Sequence, residues 1–298
     1  MRPRQPLPAE FHGRAFRTDT ANAAGLTHTR LRGSDLQRPF RGVRVNSAAP
    51  LTLHERCLSL QMRLAPDARF HGVTAAALLG VPLPLRLESS SVLHVAVPAP
   101  RRAPTGRNVR GHSLAATTAD VRVWQSLRVS TPERTWCELG ETLSLSDLVA
   151  AGDFLIHWRL PFTTPAGLRA TLAEYPGRRG LRSLRAALPL LNDRAESAWE
   201  SLLRVVLVQG GIRGIEANLP IRTTDGYHYR ADIALPASRT IIEYQSGLHD
   251  SPQSFRADMT RASRLEADGW SVIFVNADDV GDPTELVARV KRVCARGA

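Results

Sequence analysis

Residues 240–250 read TIIEYQSGLHD, and this stretch decides the fold of the C-terminal part of the chain. Its apolar residues predict a buried β-strand, yet the strand also carries Glu243 and Gln245. Side chains alternate between the two faces of a strand, so these two share one face while Tyr244 lies on the other. Glutamate is almost never fully buried without a partner. Either this strand edge is solvated or a cation lies beside Glu243.

The segments around this strand predict a compact α/β unit over residues 191–298. A helix over 195–209 is closed by two glycines, and the strand GYHYRADIAL returns through the turn PASR into TIIEYQ. A further helix, the strand WSVIFVN and a last helix complete the unit. The order helix–strand–strand–helix–strand–helix with few long loops is typical of a mixed α/β domain.

The predicted hairpin brings two carboxylates together. Asp232 ends the first strand, and the short turn places it beside Glu243 on the second strand. Two carboxylates and one amide converge there, and a hard divalent cation such as Mg²⁺ would neutralise the carboxylates. Glu200, on the preceding helix, supplies a third carboxylate. The alternative interpretation is an exposed hairpin pair on a half-solvated sheet, with no metal.

Several spaced motifs over residues 192–280 carry a family resemblance. The segments ESAWESLLR, YRADIAL, IIEYQSGLHD and FRADMTRASRLEADGWSVIFVN are similar to domain-of-unknown-function family 559, relatives of the very-short-patch-repair endonucleases. The spacing of the acids also resembles the PD-(D/E)XK nuclease core. The resemblance implies a restriction-endonuclease-like domain that hydrolyses phosphodiester bonds in DNA.

The resemblance also implies residue roles. Asp232 and Glu243 are implied metal ligands, Glu200 an accessory acid, Gln245 the residue that positions the water, and His249 a group near the water or phosphate. The chain departs from the family at Gln245 and the following serine, where the family has Asp-Gly and the wider superfamily often has lysine. An amide can hold a water molecule but cannot accept its proton, so this departure favours weaker catalysis.

Within residues 191–298, Arg261 is the arginine that we expect to contact DNA. It lies three residues after Asp258 on the predicted helix, a spacing that also predicts an ion pair within the helix.

Charge is distributed unevenly along the chain. The formal net charge is +11, and residues 1–190 hold 26 of the 39 basic residues but only 13 of the 28 acids. A basic front favours binding to a polyanion such as double-stranded DNA. The alternative is an arginine-rich surface without a partner, since Lys291 is the only lysine.

Residues 1–50 predict a winged helix–turn–helix. One helix over 18–24 stops at Gly25, a second runs from its cap at Thr27 through Arg32, and DLQRPFRGVRV forms the wing. In this fold the second helix and the wing contact DNA. The alternative is a helical cap with solvated arginines. The residues expected to contact DNA are Thr29, Arg30, Arg32, Arg38, Arg41 and Arg44.

Residues 51–190 predict a mixed α/β middle domain with a helical connector. Over residues 15–155 the chain resembles the AbiEi type of antitoxin and transcriptional regulator, through FRTDTANAAGLTHTRLRGSDLQRPFRGVRV, HGVTAAALLGVPLP and RVSTPERTWCELG. This resemblance implies DNA binding and a toxin or defence-system partner, without catalysis. The histidines of this segment lack the spacing of a helical metal site and are expected to be structural or surface residues: His54, His71, His94 and His112.

Two functions from different classes follow from these patterns. The first is a metal-dependent DNA endonuclease, and the second is a non-catalytic DNA-binding regulator with a degenerate nuclease domain. We expect a cytoplasmic location, because the first residues lack the apolar run of a signal peptide and no apolar run reaches membrane-spanning length. The three cysteines, far apart, match neither a disulfide framework nor a zinc site. The patterns leave the oligomeric state open.

Overall fold

The computed structural model describes residues 5–115, 118–245 and 252–297 of the chain. The fold is mixed α/β, as predicted, and the chain forms two compact units. The first unit comprises Met1–Gly80 and Leu85–Thr135, and the second comprises Val81–Pro84 and Trp136–Ala298. This division does not fall at the predicted domain boundaries after residues 50 and 190.

The first unit contains two sheets. Strands β1 and β2 form a short antiparallel pair, and the other strands form a mixed sheet in the order β5-β6-β4-β3-β8-β7. The elements are β1 (Ala15–Arg17), α1 (Thr18–Ala23), β2 (Val43–Val45), α2 (Leu53–Gln61), β3 (Arg69–Phe70), α3 (Gly72–Leu79), α4 (Leu85–Glu88), β4 (Leu93–Pro98), β5 (Thr105–Gly106), β6 (Val109–Leu114), β7 (Val121–Trp124), β8 (Leu127–Ser130) and α5 (Pro132–Leu139), which crosses into the second unit.

The N-terminal segment departs from the predicted winged helix–turn–helix in two elements. The first helix, α1, matches the prediction, but the second is a single 3-10 turn, Arg30–Arg32. Thr27 Oγ1 does accept a hydrogen bond from the backbone N–H of Arg30, 3.1 Å away, as a cap would. The expected wing is a single bridge between Gln37 and Val45, because β2 pairs with β1 instead.

The second unit is built on one four-stranded sheet in the order β12-β11-β10-β9. Strands β9, β10 and β11 are antiparallel, and β12 runs parallel to β11 after a helical crossover. The elements are α6 (Leu145–Leu155), α7 (Pro165–Glu174), α8 (Leu181–Ala187), α9 (Ala198–Gln209), β9 (Glu216–Arg222), β10 (His228–Leu235), β11 (Thr240–Tyr244), α10 (Pro252–Ala267), β12 (Ser271–Val275), α11 (Ala277–Gly281) and α12 (Pro283–Gly297).

The two ends of α9 follow the local sequence signals. At its start the Ser197 side chain accepts a hydrogen bond from the backbone N–H of Glu200, which leaves Glu200 in the first turn. At its end Gly211 has a φ of +82°, and the N–H of Ile212 donates to the carbonyl of Leu207. Glycine adopts this left-handed backbone without the steric cost of a side chain, so the helix ends where predicted.

Apolar residues cover both faces of the second sheet. One core lies between the sheet and helices α9 and α12, and contains Leu203, Leu207, Ile233, Ile242, Leu286 and Val290. The opposite face has a smaller core that includes Leu265 of α10 and is formed by Ile221, Ala231, Ala234, Ile241 and Leu265. The predicted alternation along β11 is confirmed, because Ile242 and Tyr244 pack in the first core and Ile241 in the second.

A buried polar network explains why the division falls before residue 190. Asp153 of α6 accepts hydrogen bonds from Ser201 and Arg204 of α9 and from the backbone N–H of Asn192. Burial raises the pKa of Asp153, and the charge of Arg204 opposes that shift. Loss of one partner of a buried ion pair leaves an uncompensated charge and strongly destabilises the fold, so this network holds α6 and α9 together in the second unit.

Across the described ranges, every helix is too short or too polar to cross a bilayer. The three cysteines carry free thiols, with Cys57 and Cys137 buried and Cys294 partly exposed.

Candidate active site

The β10–β11 hairpin brings Asp232 and Glu243 together, as the sequence predicts. The register pairs Ile233 with Ile242 across the two strands, so the next position places Asp232 opposite Glu243. The backbone N–H of Tyr244 donates to Oδ2 of Asp232 over 2.9 Å. This bond fixes the Asp232 carboxylate at the end of the hairpin ladder.

Burial makes this carboxylate pair unusual. Glu243 is only 4% exposed, so the alternative of a solvated hairpin pair is wrong for this residue. Burial, and then the charge of Asp232, raise the pKa of Glu243 to about 7. Burial raises the pKa of Asp232 to about 6, helped by the charge of Glu200 and opposed by the Tyr244 N–H. Strongly perturbed carboxylates beside one another are a common feature of functional sites.

Glu200 is held near this pair from helix α9. It is buried, and its Oε2 accepts hydrogen bonds from the backbone N–H of Glu196, at 2.9 Å, and from the side-chain amide of Asn218. The same amide group of Asn218 donates to the carbonyl of Arg194, at 2.8 Å. Two hydrogen bonds therefore hold the Glu200 carboxylate in place, and its negative charge helps to raise the pKa of Asp232.

Sequence reasoning did not identify Asn218. It lies on β9 opposite Asp232 in the register and has a φ of +52°. Asparagine tolerates this left-handed backbone better than most residues, so an asparagine inside the strand pattern EANLPIR was the available signal. Its side-chain amide links strand β9 to Glu200 in the first turn of α9 and to the segment before that helix.

Arg261 is the cation beside Glu243. Its guanidinium donates to Oε2 of Glu243 over 2.9 Å and lies 3.5 Å from Oδ1 of Asp258. The predicted ion pair of Arg261 with Asp258 within α10 is therefore confirmed. The contact with Glu243 explains why a buried strand tolerates this glutamate. Its carboxylate is paired with an arginine from the next helix.

Gln245 directly follows the last residue of β11. The backbone N–H of Gln245 donates to the carbonyl of Val275 over 2.7 Å, and its side chain is exposed. Strand alternation places Gln245 on the same face as Glu243. His249 lies outside the described residues.

The described residues contain no group of three or more His, Cys, Asp or Glu side chains placed so that together they could hold a metal ion. Asp232 and Glu243 nonetheless offer oxygen ligands of the kind that Mg²⁺ and Mn²⁺ prefer. Burial raises the pKa values of both acids, and so does repulsion from a neighbouring carboxylate, which a divalent cation would relieve. The donor set of this pair therefore fits a hard cation, while Arg261 already offsets part of the charge.

Two aromatic residues that are sequence neighbours of the acids stack on each other, and sequence reasoning missed this contact. Trp199, next to Glu200, stacks on Tyr244, next to Glu243, with centroids 5.0 Å apart and an interplanar angle of 10°. Trp199 is still 39% exposed. The two rings come from sequence-distant elements, so only the packing of α9 on the sheet reveals the pair.

Arg30 is a correction among the predicted DNA contacts. It is buried, and its guanidinium donates to both carboxylate oxygens of Asp35 and to the carbonyl of Gln5. These contacts occupy the guanidinium donors that would otherwise bind DNA, so Arg30 stabilises the N-terminal segment instead.

The other N-terminal arginines differ in their surroundings. Arg44 is half-buried and donates to the carbonyls of Leu31 and Val43. Arg38 donates to the carbonyl of Arg32 over 2.6 Å. The exposed side chains among the predicted contacts are Thr29, Arg32, Arg38 and Arg41.

The first unit also gathers three histidines that appear scattered in sequence. His94 of β4 and His112 of β6 stack with ring centroids 5.5 Å apart, and the ring of His71 lies 4.5 Å from that of His112. Burial, and then the charges of His71 and Arg110, lower the pKa of His94 to about 4. Strand pairing brings these residues together, which spacing along one helix could not reveal.

Comparisons with known proteins identify relatives but no named activity. No protein-family model matches the chain, and no solved structure matches it, so the likenesses to family 559 and to AbiEi stay predictions. The uncharacterized protein Rv2248 of Mycobacterium tuberculosis (strain ATCC 25618 / H37Rv) is 32% identical over 236 residues. The alignment covers 77% of this chain and 85% of that protein. The uncharacterized protein MT2308 of strain CDC 1551 / Oshkosh matches equally. The chain belongs to the same protein family as these two mycobacterial proteins.

Proposed function

We propose that the protein is a DNA-binding, metal-dependent endonuclease that hydrolyses phosphodiester bonds. The single observation that carries this proposal is the carboxylate pair of buried Glu243 and partly buried Asp232, with Glu200 near Asp232 and Arg261 beside Glu243. Burying two acids next to each other disfavours their charged forms, so this arrangement costs stability. Such a cost is typical of a site kept for chemistry.

Asp232 and Glu243 would hold the divalent ion, and a bound divalent ion supplies Lewis-acid stabilisation of negative charge on a phosphate. The Tyr244 N–H keeps the Asp232 carboxylate oriented toward the site. Gln245, exposed on the same strand, is suited to hold a water molecule by hydrogen bonding, but its amide cannot take up a proton. Arg261 provides a guanidinium that can donate to a phosphate oxygen.

The charge distribution supports DNA as the polymer. The excess of basic residues before residue 190 favours contact with a polyanion, and the exposed arginines of residues 1–50 lie in that part of the chain. We place the activity in the cytoplasm, where the three free thiols remain reduced.

Cleavage of supercoiled plasmid tests this proposal. The purified full chain should convert supercoiled plasmid to nicked or linear forms with Mg²⁺ or Mn²⁺ and not with a chelator. Asp232→Ala should abolish the conversion, whereas Asp225→Asn, at an exposed acid of the β9–β10 turn, should leave it unchanged. Equal cleavage by wild type and Asp232→Ala would reject the proposed site.

A specific observation favours a second candidate, a non-catalytic DNA-binding regulator with a toxin or defence-system partner. Arg261 already neutralises Glu243, and a neutral glutamine follows where the superfamily often has lysine. Under this alternative the full chain shifts duplex DNA in a gel but leaves plasmid intact with every divalent ion. Binding without cleavage would therefore select the regulator.

A further inference from the structure

The first unit contains a cleft whose walls are rich in arginine. A cavity of about 670 Å³ is bounded by residues 38–44, by the end of α2 and by the β5–β6 hairpin. A second cavity of about 470 Å³ shares four lining residues with the first, Arg38, Pro39, Phe40 and Arg107. We call the two together the arginine cleft. Five arginines line its larger part: Arg38, Arg41, Arg44, Arg63 and Arg107.

The positive charge of the arginine cleft is not neutralised by the protein. No acidic residue lies among those that line either cavity. Within the described part of the chain, these five arginines form no ion pair with a carboxylate, in contrast to Arg17, Arg30 and Arg101. The hydrogen bonds that Arg38 and Arg44 make go to backbone carbonyls.

Arg44 is the half-buried member of this group of arginines. Burial, and then the charge of Arg38, lower the pKa of the Arg44 side chain. Arginines gathered in a concave surface repel one another, and an anion between them would relieve this repulsion. The geometry therefore points to an anionic ligand.

We propose that the arginine cleft binds the phosphodiester backbone of single-stranded nucleic acid. A groove that follows successive phosphates with arginines and offers an aromatic ring for a base is the usual surface for single strands. Phe40 supplies such a ring between the two cavities, and Leu60, Leu64 and Val109 supply apolar walls. This inference rests on the proposed DNA binding and names the single strand as its ligand, and it does not depend on the acidic site.

Shape separates this ligand from two others with the same phosphate chemistry. Each cavity has the volume of a small-molecule site, so a rigid duplex would contact only the rim. A free mononucleotide would fill one cavity and leave the guanidiniums of the other without an anion. A flexible strand can follow both cavities.

The experiment measures fluorescence anisotropy of a labelled oligothymidylate of roughly 20 nucleotides with the full chain, in chelator and across a salt series. Five phosphate contacts predict a log–log salt slope of about −3.5, at roughly −0.7 per contact on a single strand. Arg63→Ala/Arg107→Ala removes two exposed guanidiniums and should weaken binding roughly tenfold and reduce the slope by about 1.4.

The matched control removes the same charge from the same unit outside the arginine cleft. Arg101 pairs with Asp67 and Arg122 stacks on Trp124, so Arg101→Ala/Arg122→Ala should bind the oligonucleotide like wild type. Thermal unfolding of both variants checks that each is folded. Equal loss of affinity in the two double variants would overturn the proposal, because it would show a general charge effect.

Two competitors test the class of ligand. An unlabelled duplex of the same length should displace the strand much less well than unlabelled single strand, and so should ATP. Displacement by ATP at concentrations where the single strand does not compete would overturn the proposal in favour of a nucleotide site. Equal competition by duplex, with the same sensitivity to Arg63→Ala/Arg107→Ala, would overturn it in favour of duplex binding.

Discussion

Arg261 donates a 2.9 Å hydrogen bond from its guanidinium to Oε2 of Glu243, and this contact joins helix α10 to the strand that carries the acidic site. The arginine side chain is about one-third exposed, whereas that of Glu243 is almost fully buried. A guanidinium in this position partly neutralises Glu243 and competes with any other cation for the same oxygen. The ion pair therefore links the stability of the domain to the charge state of its site.

Removing this guanidinium should destabilise the protein in a pH-dependent way. We expect Arg261→Ala to lower the free energy of unfolding by about 2 kcal/mol at pH 8, where Glu243 is ionised and loses its partner. At pH 5 the loss should be small, because the pKa of Glu243 is raised to about 7 and the neutral acid needs no cation. Urea unfolding at both pH values measures the difference.

Arg256→Ala is the control for this experiment, since it removes an exposed arginine from the same helix. Its effect should be small and independent of pH. A loss in Arg261→Ala that is equal at pH 5 and pH 8 would contradict an electrostatic role for the arginine.

The raised pKa of Asp232 predicts that neutralising this acid stabilises the fold at high pH. A carboxylate whose pKa rises from 3.8 to about 6 on folding is stabilising below pH 4, and that contribution is lost as the pH rises through 6. Asp232→Asn keeps an acceptor for the Tyr244 N–H without the charge. We expect it to exceed wild type by on the order of 2 kcal/mol at pH 8 and to match it near pH 4. Asp225→Asn should show no such trend.

Asn218 should stabilise the site through both its backbone and its amide. Asn218→Ala combines a left-handed φ of +52° with the loss of the hydrogen bonds to Glu200 and Arg194, so we expect a loss of about 2 kcal/mol. Asn218→Gly relaxes the backbone but still removes the amide, so its loss should be smaller. Thermal and urea unfolding compare the two variants. Equal losses would show that the backbone conformation contributes nothing.

The second unit is predicted better than the first, because the sequence signals in the second unit are local and periodic. Caps, glycines and strand alternation predict α9, the β10–β11 hairpin and the pairing of Asp232 with Glu243. The partner of Glu243 could not be predicted, because Arg261 reaches it only after α10 packs back on the sheet. Asn218 and the stack of Trp199 on Tyr244 are likewise set by tertiary packing.

The first unit is predicted less well, for a related reason. Residues 27–32 carry a cap and helix-forming residues, yet Arg30 turns inward to Asp35 and the segment closes after one 3-10 turn. A buried ion pair at this position outweighs the weak helical preference of a six-residue segment. The placement of α6 is a similar case, because the Asp153–Arg204 pair that joins it to α9 spans 51 residues.

The last prediction concerns the face that Glu243 and Gln245 share. If Asp232 and Glu243 bind a divalent cation, Mn²⁺ should raise the stability of the folded chain by RT ln(1 + [Mn²⁺]/Kd), about 2.7 kcal/mol at a hundredfold excess over Kd. Asp232→Ala and Glu243→Gln should each abolish this rise, because each removes a carboxylate ligand, while Asp225→Asn should retain it. Gln245→Lys should increase plasmid cleavage if the glutamine limits the chemistry, because it restores the residue that is common in the superfamily. A thermal-shift titration with Mn²⁺ on all five proteins, run beside the cleavage assay, measures both effects. A wild-type protein that Mn²⁺ neither stabilises nor activates would leave Arg261 as the cation of this site and the regulator as its function.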